Sequence, residues 1–309
     1  MTRLMNSTNE HLGYGLILLS GILWGISGVF VKKIEGYGAG PSLIAFLRVS
    51  IAFLLMFVFC VVKFGFKSLV ISQKQLFVCA ALGLVCHGVY NLFYNGAIIA
   101  LGISFSTVIL YLSPALTLIF SAFIYKEKIS FIKIIAIIVN ILGAALTVTG
   151  GHLSLKGVSI IGLIPALLAC LCYSMNSIIG KQSEHDANPF IMSMYSYFFA
   201  SLILLVIVKP WRFASVFNTG VMEWSFLYAL IPTALTYGIY YCGIQKIKDC
   251  SKVPVIASVE VVVASIVGVV FFYEKVGNIS VLGIVMVLSS LFLMNLHPYR
   301  DTISLNAAK

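Results

Sequence analysis

Apolar residues run through this sequence in long blocks with few polar interruptions. Ten blocks stand out, at roughly 14–31, 43–62, 76–99, 104–125, 133–150, 158–180, 190–208, 226–245, 253–273 and 278–296. An apolar run of about 20 residues is long enough to cross a bilayer as a helix. The pattern predicts an all-α polytopic membrane protein with ten transmembrane helices. The connections are short, the longest near 209–224, so no soluble domain of useful size is expected.

Composition supports lipid as the solvent. The chain has 309 residues, 61% of them hydrophobic and 10% charged, against roughly 25% charged in soluble domains. Its net charge of +10 then belongs to loops and not to nucleic-acid binding, for which there is no signature. Thirteen of the twenty Lys and Arg fall in segments on the N-terminal side of the predicted bilayer. Six fall on the other side, and Arg48 lies inside a block. The positive-inside bias predicts a plasma-membrane protein with both termini in the cytoplasm. The first block ends in Lys32 and Lys33 with no cleavage-type site, so it is expected to stay as a span. The seven cysteines include no CxxC pair and no Cys/His set at zinc spacing. They read as buried small hydrophobes, and no metal or cofactor is expected.

The two halves of the chain resemble each other. Tyr90, Tyr94, Gly96 and Glu127 match Tyr237, Tyr241, Gly243 and Glu274 at an offset of 147, and Trp24–Lys32 matches Tyr173–Lys181 at 149. The division falls into residues 1–150 and 151–309, five spans each. An odd number of spans makes the halves insert in opposite directions, as two inverted five-helix repeats. Such repeats place a substrate site near the bilayer midplane where the halves meet.

The segments "WGISGVFVK" (24–32), "PSLIAFLR" (41–48), "YLSPALTLIFSAFIYKE" (111–127) and "SVEVVVASIVGVVFFYE" (258–274) resemble the EamA-type branch of the drug/metabolite transporter superfamily. That resemblance covers nearly the whole chain and implies export of amino acids or related metabolites. It departs at one point. The family often has proline where Val261 stands, while the first-half equivalent, Pro114, is kept. A helix break in span nine is therefore open to question.

Polar groups inside the spans fall on single helix faces. His87, Tyr90, Asn91 and Tyr94 share a face of span three, and Tyr237, Tyr240 and Tyr241 a face of span eight. Trp24 lies with Ser27 and Gly28 in span one, Tyr111 with Thr107 and Pro114 in span four, and Tyr173 with Asn176 and Ser177 in span six. Substrate-binding candidates are thus Trp24, His87, Tyr90, Asn91, Tyr94, Tyr111, Tyr173, Asn176, Tyr237 and Tyr241. Competing readings exist: one interhelical hydrogen bond would satisfy His87, and Asn91 and Asn176 can act as interhelical glue. Tyr125, Tyr195, Tyr228 and Tyr273 suit an interfacial belt. Gly21, Gly25 and Gly28 suit close helix packing, and Glu127 and Glu274 helix capping. Arg48 suits a structural or snorkelling role better than anion binding.

Glu260 completes the set. It is the one charged residue between Val253 and Tyr273. An ionised acid near the bilayer centre costs on the order of 3 kcal/mol on insertion scales. It shares its half of the helix with Ala257, Ser258, Ala264, Ser265 and Gly268. The opposite half is Val259, Val262, Val263, Ile266, Val269 and Val270. Its available partners are a substrate cation, a proton or a tyrosine hydroxyl, and a neutral hydrogen-bonded structural acid is the bland alternative. The reading is a secondary transporter, an exporter by alternating access of small polar metabolites such as amino acids or amines, with proton coupling open. The alternative is a multidrug efflux transporter of broad specificity. No Walker, HExxH or GxSxG sequence occurs, so neither ATP-driven transport nor an intramembrane enzyme is expected.

Overall fold

The structure, a computed structural model, describes residues 2–152, 160–183, 187–273 and 276–295. Glu274, Lys156, Lys275, Arg300 and Lys309 lie outside these. Among the described residues nine helices are long and apolar enough to cross a membrane: Asn9–Gly36, Pro41–Phe64, Gln73–Leu101, Ile103–Tyr125, Phe131–Thr149, Ile161–Lys181, Pro189–Val208, Thr219–Lys246 and Cys250–Phe272, called spans one to nine. A tenth apolar helix, Asn278–Met294, is shorter. The all-helical class is as expected, and the count of ten rests on that shorter helix. The bundle end at which span one begins is called the near end, and the opposite one the far end.

Local chemistry sets the helix limits. Ser72, Ser130 and Asn218 each accept a backbone N–H of the first turn that follows, those of Gln75, Lys133 and Val221, which satisfies donors the helix itself leaves free. Pro41 and Pro189 open spans two and seven, where a missing N–H does no harm. Gly65 ends span two at φ +80°, a backbone conformation that favours glycine.

The helices meet through small residues, since lipid tails provide no hydrophobic drive between helices. A Cβ on Gly21 would lie 2.6 Å from the Ala257 carbonyl oxygen, and one on Gly143 would lie 2.8 Å from that of Gly283. Span one is thereby drawn against span nine, and span five against the tenth helix. Gly28 differs. A Cβ there would meet nothing within 4 Å, so it marks an opening and not a packing contact.

Five spans are irregular in their middles, span one among them with a break at Ile26. Span three widens into π-helical turns over Leu82–Val89, and span eight does so over Leu230–Leu235. Span four breaks at Tyr111–Leu112 and span nine at Ser258. Positions 111 and 258 are separated by the same 147 residues that relate the two halves. Pro114 accounts for the first break, because it cannot donate to the Leu110 carbonyl. That carbonyl instead accepts the Cys170 thiol, 3.6 Å away. The second break forms without a proline, as Ser258 takes over. Its hydroxyl donates to the Val255 carbonyl at 2.6 Å and accepts from Asn140 Nδ2 at 2.6 Å. Val261 therefore does not remove the break.

Charged groups close the near end. Glu127 Oε1 lies 3.2 Å from Lys181 Nζ and accepts the Cys250 N–H at 2.7 Å, and its Oε2 accepts the Ser251 N–H at 3.2 Å. Lys133 pairs with Asp249 at 2.6 Å. Glu127 thus serves the first turn of span nine and not the helix that follows it in sequence. Burial, with the hydrogen bond to Asp249, raises the Glu127 carboxyl above its ordinary value. Burial also opposes ionisation of Asp249, but hydrogen bonds with Glu127, Lys133 and Ser251 outweigh it and hold that carboxyl below its ordinary value.

Candidate functional site

The breaks in spans four and nine bring their polar residues face to face at mid-depth. Glu260 Oε1 accepts the Tyr111 hydroxyl at 3.2 Å and the Tyr173 hydroxyl at 3.4 Å. Tyr173 lies 5.8 Å from Tyr90, which stacks on Tyr94 at 5.6 Å. The Tyr94 hydroxyl is 2.9 Å from Thr107 Oγ1. Trp24 packs on Tyr237 at 4.9 Å and on Tyr240 at 5.0 Å. Trp24, Tyr90, Asn91, Tyr94, Tyr111, Tyr173 and Glu260 are all half-buried. Gly28 is unobstructed, and Ala264 is exposed one turn from Glu260. Asn91 turns its amide back to the His87 carbonyl of its own helix.

A second group lies beneath them and is closed. Tyr241 is fully buried, and His87 and Asn176 nearly so. The Tyr241 hydroxyl donates to Asn176 Oδ1 at 3.0 Å and lies 3.2 Å from His87 Nε2. With the hydroxyl proton given to Asn176, His87 must donate from Nε2. Nδ1 is then the acceptor, and it has no partner. Tyr237 bridges the two groups: it is buried, 4.6 Å from the His87 ring and 6.0 Å from Tyr241. Tyr240 joins the lower group through its hydroxyl, 2.9 Å from Ser177 Oγ. The candidates of the sequence thus come together around one centre, but in two layers.

One expectation changes. Tyr228 is no belt residue: it is buried, and its hydroxyl accepts from Arg48 Nη1 at 3.2 Å. Tyr125 and Tyr195 are tied to backbone carbonyls of other segments, Ile178 and Leu69. Val259 and Val262 are buried, leaving Ile266, Val269 and Val270 as the exposed stripe of span nine. Tyr197 was missed by the sequence reading. It is buried, lies 5.5 Å from the His87 ring and donates to the Thr233 carbonyl at 2.9 Å. Its place mid-span was the only available signal. A shallow near-end cleft of about 600 Å³, bordered by Lys63, Ser72, Gln75 and Asn188, contains none of these groups.

A bundle of membrane-length helices, broken at mid-depth around a carboxylate and a wall of aromatic rings, defines a membrane carrier of small molecules. Residues 11–149 and 160–296 both match the EamA-like transporter family. The chain belongs to that family. It is similar to an uncharacterized transporter of Archaeoglobus fulgidus, 23% identical over 91% of this chain and 95% of that one. It is also similar to one of Clostridium kluyveri, 23% identical over 89% and 90%. A solved crystal structure superimposes with a TM-score of 0.76 at 15% identity, covering 94% of this chain and 98% of the other, and shares its fold. The chain is therefore a multi-span membrane transporter and not an enzyme.

Proposed function

We propose that the chain is a secondary transporter that exports small polar metabolites bearing an amine, by alternating access about the cleft at Glu260. The observation that carries this is the pairing of Glu260 with the Tyr111 and Tyr173 hydroxyls among half-buried aromatic rings. The acid has no basic partner among the described residues. A substrate ammonium would supply the missing charge, and the ring faces of Trp24, Tyr90 and Tyr237 would attract it further. Residues 1–150 and 151–309 would rock against each other, opening the cleft to one side and then the other. The near-end ion pairs suit a resting state closed on the side of the termini, which the Lys and Arg distribution assigns to the cytoplasm of a plasma-membrane protein. Proton exchange at Glu260 would provide the driving force.

The test is a thermal-shift screen of the purified protein against amines and amino acids, since a ligand bound only to the folded state raises the melting temperature. Amine-bearing compounds are expected to stabilise the wild type and to lose that effect in Glu260→Gln. Equal shifts in both proteins would remove Glu260 from substrate binding.

A further inference from the structure

Span five and the tenth helix contribute none of the residues gathered around Glu260, yet one side chain ties them to its helix. Asn140 is the only polar residue between Lys133 and Thr147 in span five, and it is fully buried. An amide in hydrocarbon is costly unless its hydrogen bonds are met. Asn140 Nδ2 donates to Ser258 Oγ in span nine at 2.6 Å and to Ser290 Oγ in the tenth helix at 2.9 Å. Each serine gives its own proton to a carbonyl of its helix, those of Val255 and Val287. Both hydroxyl oxygens can then only accept, so an NH2 group is what joins them. The amide is oriented by these two bonds, and Oδ1 has no partner among the described residues.

The breaks in spans four and nine are equivalent in the two halves but are made differently. Pro114 has no N–H to give, so the break in span four is permanent. At the equivalent position of span nine, Val261 keeps its N–H and donates to the Ser258 carbonyl at 3.0 Å. Nothing covalent prevents span nine from running straight through residue 258. The break is held by the Ser258 hydroxyl on the Val255 carbonyl, and by the Asn140 amide on that hydroxyl. The helix starts again at Val259, so Glu260 is the second residue beyond the break. A continuous helix would turn Glu260 relative to spans four and six, which carry its partners Tyr111 and Tyr173.

We propose that Asn140 is a positioning residue: its amide keeps span nine broken at Ser258 and thereby keeps Glu260 turned to Tyr111 and Tyr173. This rests on Glu260 being part of the substrate site. It assigns to a side chain of span five the work that a proline ring does in span four.

The experiment measures binding of the amines and amino acids of the screen above to the full-length purified protein. Hydrogen–deuterium exchange over residues 255–263 reads the break directly. Asn140→Leu and Ser258→Ala are each expected to bind at least about tenfold more weakly than wild type, roughly 1.4 kcal/mol. Exchange over 255–263 should slow in both as the helix closes. Val261→Pro installs the ring that span four has, in a first turn, where proline is tolerated. Added to either variant, it should bring binding back to within about threefold of wild type and restore the wild-type exchange. A residue that merely glues three helices together would not be rescued by a ring in one of them. Wild-type binding in both single variants overturns the proposal, and so do doubles no better than the singles. If a single variant does not fold, its double decides: a folded double that binds sustains the proposal, and one that fails to bind overturns it. If Glu260→Gln loses binding while Asn140→Leu and Ser258→Ala keep it, the Glu260 reading stands and only the role of Asn140 falls. If Glu260→Gln binds as wild type does, the Glu260 reading itself fails.

Discussion

Two layers of aromatic and polar side chains meet at the centre of this bundle, and they differ in what their hydrogen bonds leave over. In the lower layer, Tyr241 joins His87 and Asn176 in one sealed group, with only His87 Nδ1 left without a partner. In the upper layer, Tyr111 and Tyr173 converge on a carboxylate that still lacks a countercharge, and the side chains are half-buried. Both layers come from the same residue types on the same helix faces. The difference teaches that like polar stripes in membrane helices can end up sealed at one depth and half-buried at another. Here the breaks at Tyr111–Leu112 and Ser258 lie beside the upper layer.

Substitutions should separate the layers. The largest effect is expected for Tyr241→Ala. It leaves a cavity and strands His87 and Asn176, and should lower stability by about 4 kcal/mol in thermal unfolding of the detergent-solubilised protein. A loss of under about 1 kcal/mol would mean that the lower layer is not a packed floor. Next, Asp249→Asn at the near end removes the partner of the buried Lys133. A loss of about 3 kcal/mol is expected, read in the same way. Tyr111→Phe and Tyr173→Phe should change stability by under about 0.5 kcal/mol. Each should weaken substrate binding about fivefold, roughly 1 kcal/mol for one hydrogen bond. Stability losses like those of the lower layer would show that the upper layer is packing too.

The smallest effects concern pH at the near end. Asp249 sits below its ordinary value, so its contribution is present above that value and is lost as pH falls through the lowered one. Glu127 sits above its ordinary value, so its contribution is present below that value and is lost as pH rises through the raised one. Unfolding measured against pH should therefore flatten on the acid side in Asp249→Asn and on the alkaline side in Glu127→Gln. The opposite assignment would show that the proton resides differently in this pair.

Much of this was legible in the sequence. The spans appear as apolar blocks, and the offset of 147 that relates Tyr90 to Tyr237 also relates the two helix breaks. Helical spacing brought every candidate to the bundle centre. Spacing gives the direction of a side chain but not the distance to the helix it faces, so it could not separate Tyr241 from Tyr111. The break at Ser258 was obscured because a serine hydroxyl and Asn140, from a distant span, do the work that Pro114 does in the first half. Tyr228 read as a belt residue because its partner, Arg48, is 180 positions away. The far-end glycine at position 28 looked like its packing neighbours, Gly21 and Gly25, until span nine was in place.

The central claim is that Glu260 is a working charge in the upper layer. Its most direct test is uptake and counterflow in liposomes reconstituted with wild type and with Glu260→Gln at matched protein amounts, across a range of pH. Glu260→Gln is expected to insert as well as wild type, since it carries no ion into the bilayer. Its net transport should fall at least about tenfold, equivalent to roughly 1.4 kcal/mol. Its pH dependence should vanish if the same carboxyl carries the proton. Full transport with an unchanged pH profile in Glu260→Gln would contradict the claim and leave the residue a neutral hydrogen-bond acceptor for Tyr111 and Tyr173.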